Sequence, residues 1–169
     1  MIIRYFFLDD TDTYVLCNSS NINKLTSLLK SASDENESSW VGMKLQFLDI
    51  PEGEKLTGVR LFLAPTSSLG TREHLIEGTL EENWNKILSF PDNTGLYFKL
   101  DESSPEIKFN HNVGKNWPSG IPLLNESNPT EHISNNDEKT FMIKFVPSNE
   151  QSNQRFFLSL EAEGVLTNE

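Results

Sequence analysis

The segment GKNWPSG, residues 114–120, carries side chains that suit the recognition of a sugar. Trp117 belongs to no alternating apolar run, so its ring is predicted to form an exposed platform for stacking. Lys115 and Asn116 precede it and supply charged and amide groups for hydrogen bonds. We therefore predict a ligand-binding loop at Trp117, Asn116 and Lys115. In the competing interpretation, Trp117 covers one end of the fold.

Three aspartates, Asp9, Asp10 and Asp12, cluster in a predicted turn between two apolar runs. Carboxylate oxygens on a tight turn suit calcium, which takes about six to eight oxygen ligands. The cluster predicts a structural calcium site if other loops or carbonyl groups complete the ligand set. In the alternative interpretation, the aspartates accept hydrogen bonds from the backbone of their own turn. No other cofactor is expected.

No group of residues has the spacing of a known catalytic motif. The three histidines form no i,i+4 pair, and the single cysteine, Cys17, ends an apolar run, so we expect no zinc site and no reactive thiol. Adjacent carboxylates occur at 81–82 and 101–102. The two carboxylates of a glycosidase face each other across a cleft, so adjacency in the sequence does not indicate such a pair. The sequence favours a non-catalytic protein, with an enzyme as the less favoured alternative.

The composition limits the classes of partner. The chain has 169 residues, with 14 basic and 25 acidic side chains and a formal net charge of -11, which suits a single domain over residues 1–169. Because no Lys/Arg cluster interrupts this acidity, we expect no binding to nucleic acid, and we expect no membrane insertion. The apolar start, residues 2–8, is shorter than the core of a signal peptide, so the sequence selects no compartment.

Short alternating apolar runs dominate the rest of the chain. Met43, Leu45 and Phe47 alternate with polar residues, and the pattern repeats at 59–63 after a connection that contains proline and glycine. Period two over such lengths predicts half-buried strands. We predict an all-β fold, a single antiparallel two-sheet β-sandwich of jelly-roll type, with at most one short helix near residues 25–29 and a long loop region at about 110–139.

Some large apolar side chains do not fit one buried face. Trp40 and Trp84 stand beside apolar residues and are expected in the core, whereas Phe6 lies on the polar side of its strand. When a strand is apolar on both faces, one face packs on the core and the other is covered by a loop or helix of the same chain or by another subunit. Self-association through sheet edges and loops is therefore an alternative to ligand binding.

Several segments resemble the DNRLRE-type β-sandwich domain, a module of extracellular and cell-surface proteins related to alginate-type carbohydrate-binding modules. The resemblance rests on Asp12 to Val15, on Leu45, Phe47, Ile50, Pro51 and Gly53, on Leu56, Val59, Leu61 and Leu63, on Trp84 and Pro91, and on Glu161 and Ala162. It implies a jelly-roll-like sandwich, a carbohydrate ligand and a location outside the cell or on its surface. The region from Asn110 to Lys139 has no counterpart in the family pattern.

The residues and the resemblance together predict a non-catalytic binding module. Its expected ligand is an extracellular or cell-surface carbohydrate, and its expected partners are a glycan or a protein surface. The alternative is a self-assembling structural subunit of a shell, fibre or appendage, with no small-molecule ligand.

Overall fold

The alternating segments of the sequence form β-strands in the computed structural model of the protein. The structure describes residues 1–18, 20–21, 23–25, 27–29, 40–65, 95–109, 121–125, 127–146 and 158–168, with the backbone alone at 62–65, 95, 158–161 and 163. Within these residues the strands are β1 (Ile2–Leu8), β2 (Tyr14–Leu16), β3 (Val41–Leu48), β4 (Glu54–Pro65), β5 (Gly95–Lys99), β6 (Ile107–Lys108), β7 (Ile121–Pro122), β8 (Glu138–Val146) and β9 (Leu158–Asn168). Residues 23–25 and 27–29 are helical, as their leucine spacing predicts.

These strands lie in two antiparallel sheets, which confirms the predicted all-β, two-sheet architecture. The larger sheet has the order β2-β1-β3-β8-β5-β6, and the smaller has the order β7-β4-β9. Although β3 and β4 are consecutive, they belong to different sheets. The chain turns between them at Pro51, whose carbonyl oxygen accepts a hydrogen bond of 3.0 Å from the Glu54 amide. Gly53 has a φ of 80°, the left-handed value that this turn requires.

The core lies between the two sheets. In β3, buried and half-buried side chains alternate along the whole strand, so one face of the larger sheet is apolar. The largest side chains that are almost completely buried come from both sheets and from the segment before β8: Phe7, Phe47, Phe98, Phe141, Met43, Leu45, Leu56, Leu61, Ile133 and Val59. Burial of this apolar surface is the main stabilising term of the fold.

A β-bulge in β4 allows both halves of that strand to face the core. The pairing of β4 with β9 shifts in register between Thr57 and Arg60, and Gly58 within the shift has a φ of 60°. Strict alternation would place Leu56 and Val59 on opposite faces of the sheet. Because the bulge adds one residue, both side chains are buried, at 0% and 1% exposure.

The predicted loop region 110–139 contributes to the core in its described part, residues 121–125 and 127–139, of which the last two begin β8. β7 pairs with β4, and Ile133 forms an isolated bridge with Leu56. Leu123, Leu124 and Ile133 are buried. This segment therefore closes one side of the sandwich with apolar side chains.

A tyrosine joins the two sheets. The hydroxyl oxygen of Tyr5, on β1, accepts a hydrogen bond of 2.9 Å from the backbone amide of Ala162, on β9. The two residues are 157 positions apart in the chain, so this contact connects the first strand with the last. Buried backbone amides require such partners, and here a side chain provides one.

Candidate functional site

Basic side chains gather on the outer face of the larger sheet, the face opposite the core. The alternation of the strands and their register place five of the 14 basic residues of the chain there: Arg4, Lys44, Lys99, Lys108 and Lys144. The chain as a whole has a net charge of -11. Basic side chains are thus grouped on this face, where three of them pair with glutamates.

Two lysines of this face converge on one tryptophan. The Nζ atoms of Lys99 and Lys144 each lie 4.8 Å from the ring centroid of Trp40. The Nζ atom of Lys144 is also 5.6 Å from the centroid of Tyr97, its cross-strand neighbour. These distances are typical of cation–π contacts. We call these four residues, Trp40, Tyr97, Lys99 and Lys144, the Trp40 cluster.

Each lysine of the Trp40 cluster also has a carboxylate partner. Lys99 pairs with Glu102 at 3.5 Å, and Lys144 pairs with Glu106 at 3.7 Å. The lysines are largely buried, but the side chain of Glu102 is 88% exposed and that of Glu106 is 51% exposed. Each pair therefore joins a largely buried ammonium group to a glutamate that extends into solvent. The rings position the ammonium groups, and a ligand reaches them only by taking the place of a glutamate.

A second group of aromatic side chains lies on the same face, at β1 and β2. The Nζ atom of Lys44 is 4.9 Å from the ring centroid of Phe6 and 4.5 Å from that of Tyr14. Lys44 also pairs with Glu138 at 3.5 Å. Phe6, which the sequence places on the polar side of its strand, therefore lies on the outer face beside a lysine.

The aspartate turn between β1 and β2 is held by its own hydrogen bonds. The Oδ1 atom of Asp9 accepts bonds from the Thr11 amide at 2.9 Å, the Thr11 hydroxyl at 2.7 Å and the Thr13 amide at 3.0 Å. Asp12 has a φ of 57°. Among the described residues, no three His, Cys, Asp or Glu side chains come close enough to hold a metal ion. The calcium site at Asp9, Asp10 and Asp12 stays a prediction.

We expect Thr11→Val to raise the pKa of Asp9. The hydrogen bond from the Thr11 hydroxyl, followed by that from the Thr13 amide, lowers this pKa below its usual value. The folded state therefore favours the carboxylate. The resulting stabilisation is present above the pKa of the unfolded chain, about 3.9, and is lost as the pH falls through the lowered pKa of the folded state.

The measurement is a titration of the side-chain carboxyl groups followed by NMR. Asp101 provides the control, because the hydroxyls of Ser104 and Ser103 lower its pKa in a separate turn. Its titration midpoint should be the same in the wild type and in Thr11→Val. An unchanged midpoint for Asp9 in this variant would show that the threonine hydroxyl is not the cause of its lowered pKa.

Two other residues with reactive side chains, Cys17 and His132, lie away from the outer face. Cys17 is partly buried, and burial raises the pKa of its thiol to about 11, so the thiol is protonated at neutral pH. His132 is exposed, and its Nδ1 atom is 2.8 Å from the carbonyl oxygen of Thr130.

Within the part of the chain that the structure describes, no helix has the length and apolar character needed to span a bilayer.

The predicted ligand-binding residues Lys115, Asn116 and Trp117 lie outside the described residues, as does Trp84.

The prediction that Trp40 belongs to the core is wrong, because Trp40 contacts two lysines of the outer face. The sequence contains a signal for this position. Trp40 is an even number of positions from Lys44 and an odd number from the buried Met43, so the alternation of the strand assigns it to the polar face.

Comparisons of the chain with protein family models, with curated proteins and with solved structures gave no match.

Proposed function

We propose that the protein is a non-catalytic β-sandwich module that binds carbohydrate at the Trp40 cluster. The observation that carries this proposal is the convergence of Lys99 and Lys144 on the ring of Trp40, on the outer face of the larger sheet. A sugar ring has an apolar face that packs on an aromatic plane and a rim of hydroxyl groups that needs hydrogen-bonding partners. Trp40 and Tyr97 supply aromatic surface, and the ammonium groups that lie over these rings supply hydrogen-bond donors.

The two ammonium groups of the cluster suit a sugar that carries carboxylates. A ligand carboxylate that replaces Glu102 or Glu106 keeps each ammonium group paired, whereas a neutral sugar leaves the existing pairs in place. The resemblance to DNRLRE-type domains supports the same general class of ligand, an extracellular or cell-surface carbohydrate. The loop at Lys115, Asn116 and Trp117 is retained in the proposal as a second contact.

The test is binding of the protein to a panel of neutral and carboxylated polysaccharides, measured by affinity electrophoresis. We expect retention of the wild type by at least one carboxylated polysaccharide. Trp40→Ala should weaken binding about tenfold or more, which corresponds to about 1.4 kcal/mol. Trp40→Phe keeps an aromatic plane and should retain most of the binding, so it separates the role of the ring from a general effect on folding.

Two further variants locate the site. Leu100→Ala changes an exposed side chain next to β5 but outside the cluster, so its binding should equal that of the wild type. Trp117→Ala reports on the predicted loop. The proposal fails if no polysaccharide retains the wild type. It also fails, as a statement about this surface, if Trp40→Ala binds as well as the wild type does.

A further inference from the structure

Both carboxylates that pair with the Trp40 cluster come from one short connection of the chain. Residues 100–106 join β5 to β6, and they carry Glu102, the partner of Lys99, and Glu106, the partner of Lys144. Because β6 pairs with β5 in the larger sheet, the connection begins and ends next to the cluster. The hairpin of β5 and β6 therefore brings its own carboxylates to the two ammonium groups.

Hydrogen bonds within this connection hold the turn that carries Glu102. The Oδ1 atom of Asp101 accepts bonds from the Ser103 amide at 3.0 Å, the Ser103 hydroxyl at 2.8 Å and the Ser104 hydroxyl at 2.8 Å. The Ser104 amide donates a further bond of 3.2 Å to the carbonyl oxygen of Asp101. Aspartate stabilises turns of this kind by bonding to the backbone that follows it. The position of Glu102 beside Lys99 is thus a local property of the fold.

The two lysines need these partners when no ligand is bound. The side chain of Lys99 is 12% exposed and that of Lys144 is 9% exposed, so little water reaches either ammonium group. A charge that is largely removed from water requires an opposite charge nearby. The N–O distances of these pairs, 3.5 and 3.7 Å, exceed the roughly 2.7–2.9 Å of a direct charge-assisted hydrogen bond. A ligand carboxylate that approaches more closely can therefore compete with either glutamate.

We propose that Glu102 and Glu106 are internal competitors of the ligand at the Trp40 cluster, so that binding is an exchange of carboxylates. This inference rests on the proposed function, because it concerns the same site and a ligand that carries carboxylates. Only molecules with a released lysine can pair with the ligand carboxylate, so the apparent affinity is lower than the intrinsic affinity by the fraction of such molecules. The two glutamates limit the affinity although they contact no ligand.

The experiment measures the binding of Glu102→Gln, Glu106→Gln and the double variant to the panel of neutral and carboxylated polysaccharides by affinity electrophoresis. Glutamine keeps the size of the side chain and removes its charge. Each single substitution should tighten the binding of a carboxylated polysaccharide about two- to fivefold, the range expected for one partly exposed ion pair. The double variant should show about the product of the two effects, because the pairs involve different lysines.

The salt dependence of binding provides a second measurement. In the wild type, a ligand carboxylate replaces a protein carboxylate, so the number of ion pairs is unchanged and salt should have little effect. In the double variant, each ligand carboxylate forms a new ion pair, which salt screens. We expect the advantage of the double variant over the wild type to be largest at about 20 mM salt and to decrease towards about 500 mM.

Glu138→Gln is the matched control for the single substitutions. It removes one negative charge from the same sheet face, but Glu138 pairs with Lys44, which lies outside the Trp40 cluster. Its binding should equal that of the wild type. Circular dichroism and thermal unfolding should show that all the variants retain the wild-type fold, as expected for substitutions at exposed glutamates.

The outcomes separate this inference from the proposed function. Retention of the wild type with unchanged or weaker binding of the double variant overturns the inference and leaves the proposed function standing. Equal tightening by all three single substitutions also overturns it, because net charge then explains the effect. If only the double variant is retained by a polysaccharide, the inference holds, whereas the proposed function fails for the wild type. If neither protein is retained, both fail.

Discussion

Replacing Phe98 with alanine is expected to lower the free energy of unfolding by about 3–5 kcal/mol. Phe98 lies on β5 with 2% exposure. Its ring centroid is 5.5 Å from that of Phe141 on β8 and 6.3 Å from that of Phe109, with the latter pair edge to face. The substitution removes these ring contacts and leaves a cavity against the larger sheet. The total stability of an ordinary domain is about 5–15 kcal/mol, so this loss is a large fraction of it.

Urea denaturation measured by circular dichroism tests this prediction. Phe98→Leu is the matched control, because it keeps an apolar side chain and should cost only about 1–2 kcal/mol. The slope of the unfolding free energy against urea should be similar in all three proteins, so that the midpoints report stability. Equal midpoints for the alanine and leucine variants would mean that the ring of Phe98 does not fill the space that its contacts indicate.

Replacing Gly164 with valine is expected to cost about 3 kcal/mol, the upper part of the usual range for overpacking. A Cβ atom at Gly164 would lie 2.9 Å from Cγ and Cδ1 of Leu56 and 3.1 Å from the carbonyl oxygen of Thr57. Leu56 has no room to move, because it is completely buried and its backbone is bonded to that of Ile133. Valine adds two methyl groups beyond this Cβ, so β9 must move away from β4.

Asn168→Val is the control for Gly164→Val. Asn168 is exposed on the same strand, so a β-branched residue there should change stability by no more than about 0.5 kcal/mol. Thermal unfolding of both variants provides the comparison. If Gly164→Val unfolds at the same temperature as the control, Leu56 yields to the new side chain and β4 and β9 are not closely packed at this point.

Local patterns were sufficient for most of the strands in the described part of the chain. The alternation of Met43, Leu45 and Phe47 predicts β3 and its buried face correctly. The pattern fails at Leu56 and Val59, because a β-bulge shifts the alternation by one residue. A bulge depends on the partner strand, here β9, and a period of two contains no information about a partner.

The candidate site shows the same limit. The two-residue alternation in the sequence assigns the ring of Trp40 to the polar face. The contacts of Trp40 cannot be obtained from the sequence, because Lys99 and Lys144 reach it only through the order β3-β8-β5 in the larger sheet. No spacing along the chain relates residue 40 to residues 99 and 144.

The sequence by itself determined the all-β class and the buried face of most strands, because the alternation of side chains is a local property of extended backbone. It also determined the acidic character of the chain. Only the tertiary structure decided that β3 pairs with β1 and β8, whereas β4 pairs with β9. Backbone hydrogen bonds are alike for every pair of strands, so the choice of partner depends on how distant apolar faces pack together. That choice brings five of the 14 basic side chains onto one face and creates the Trp40 cluster.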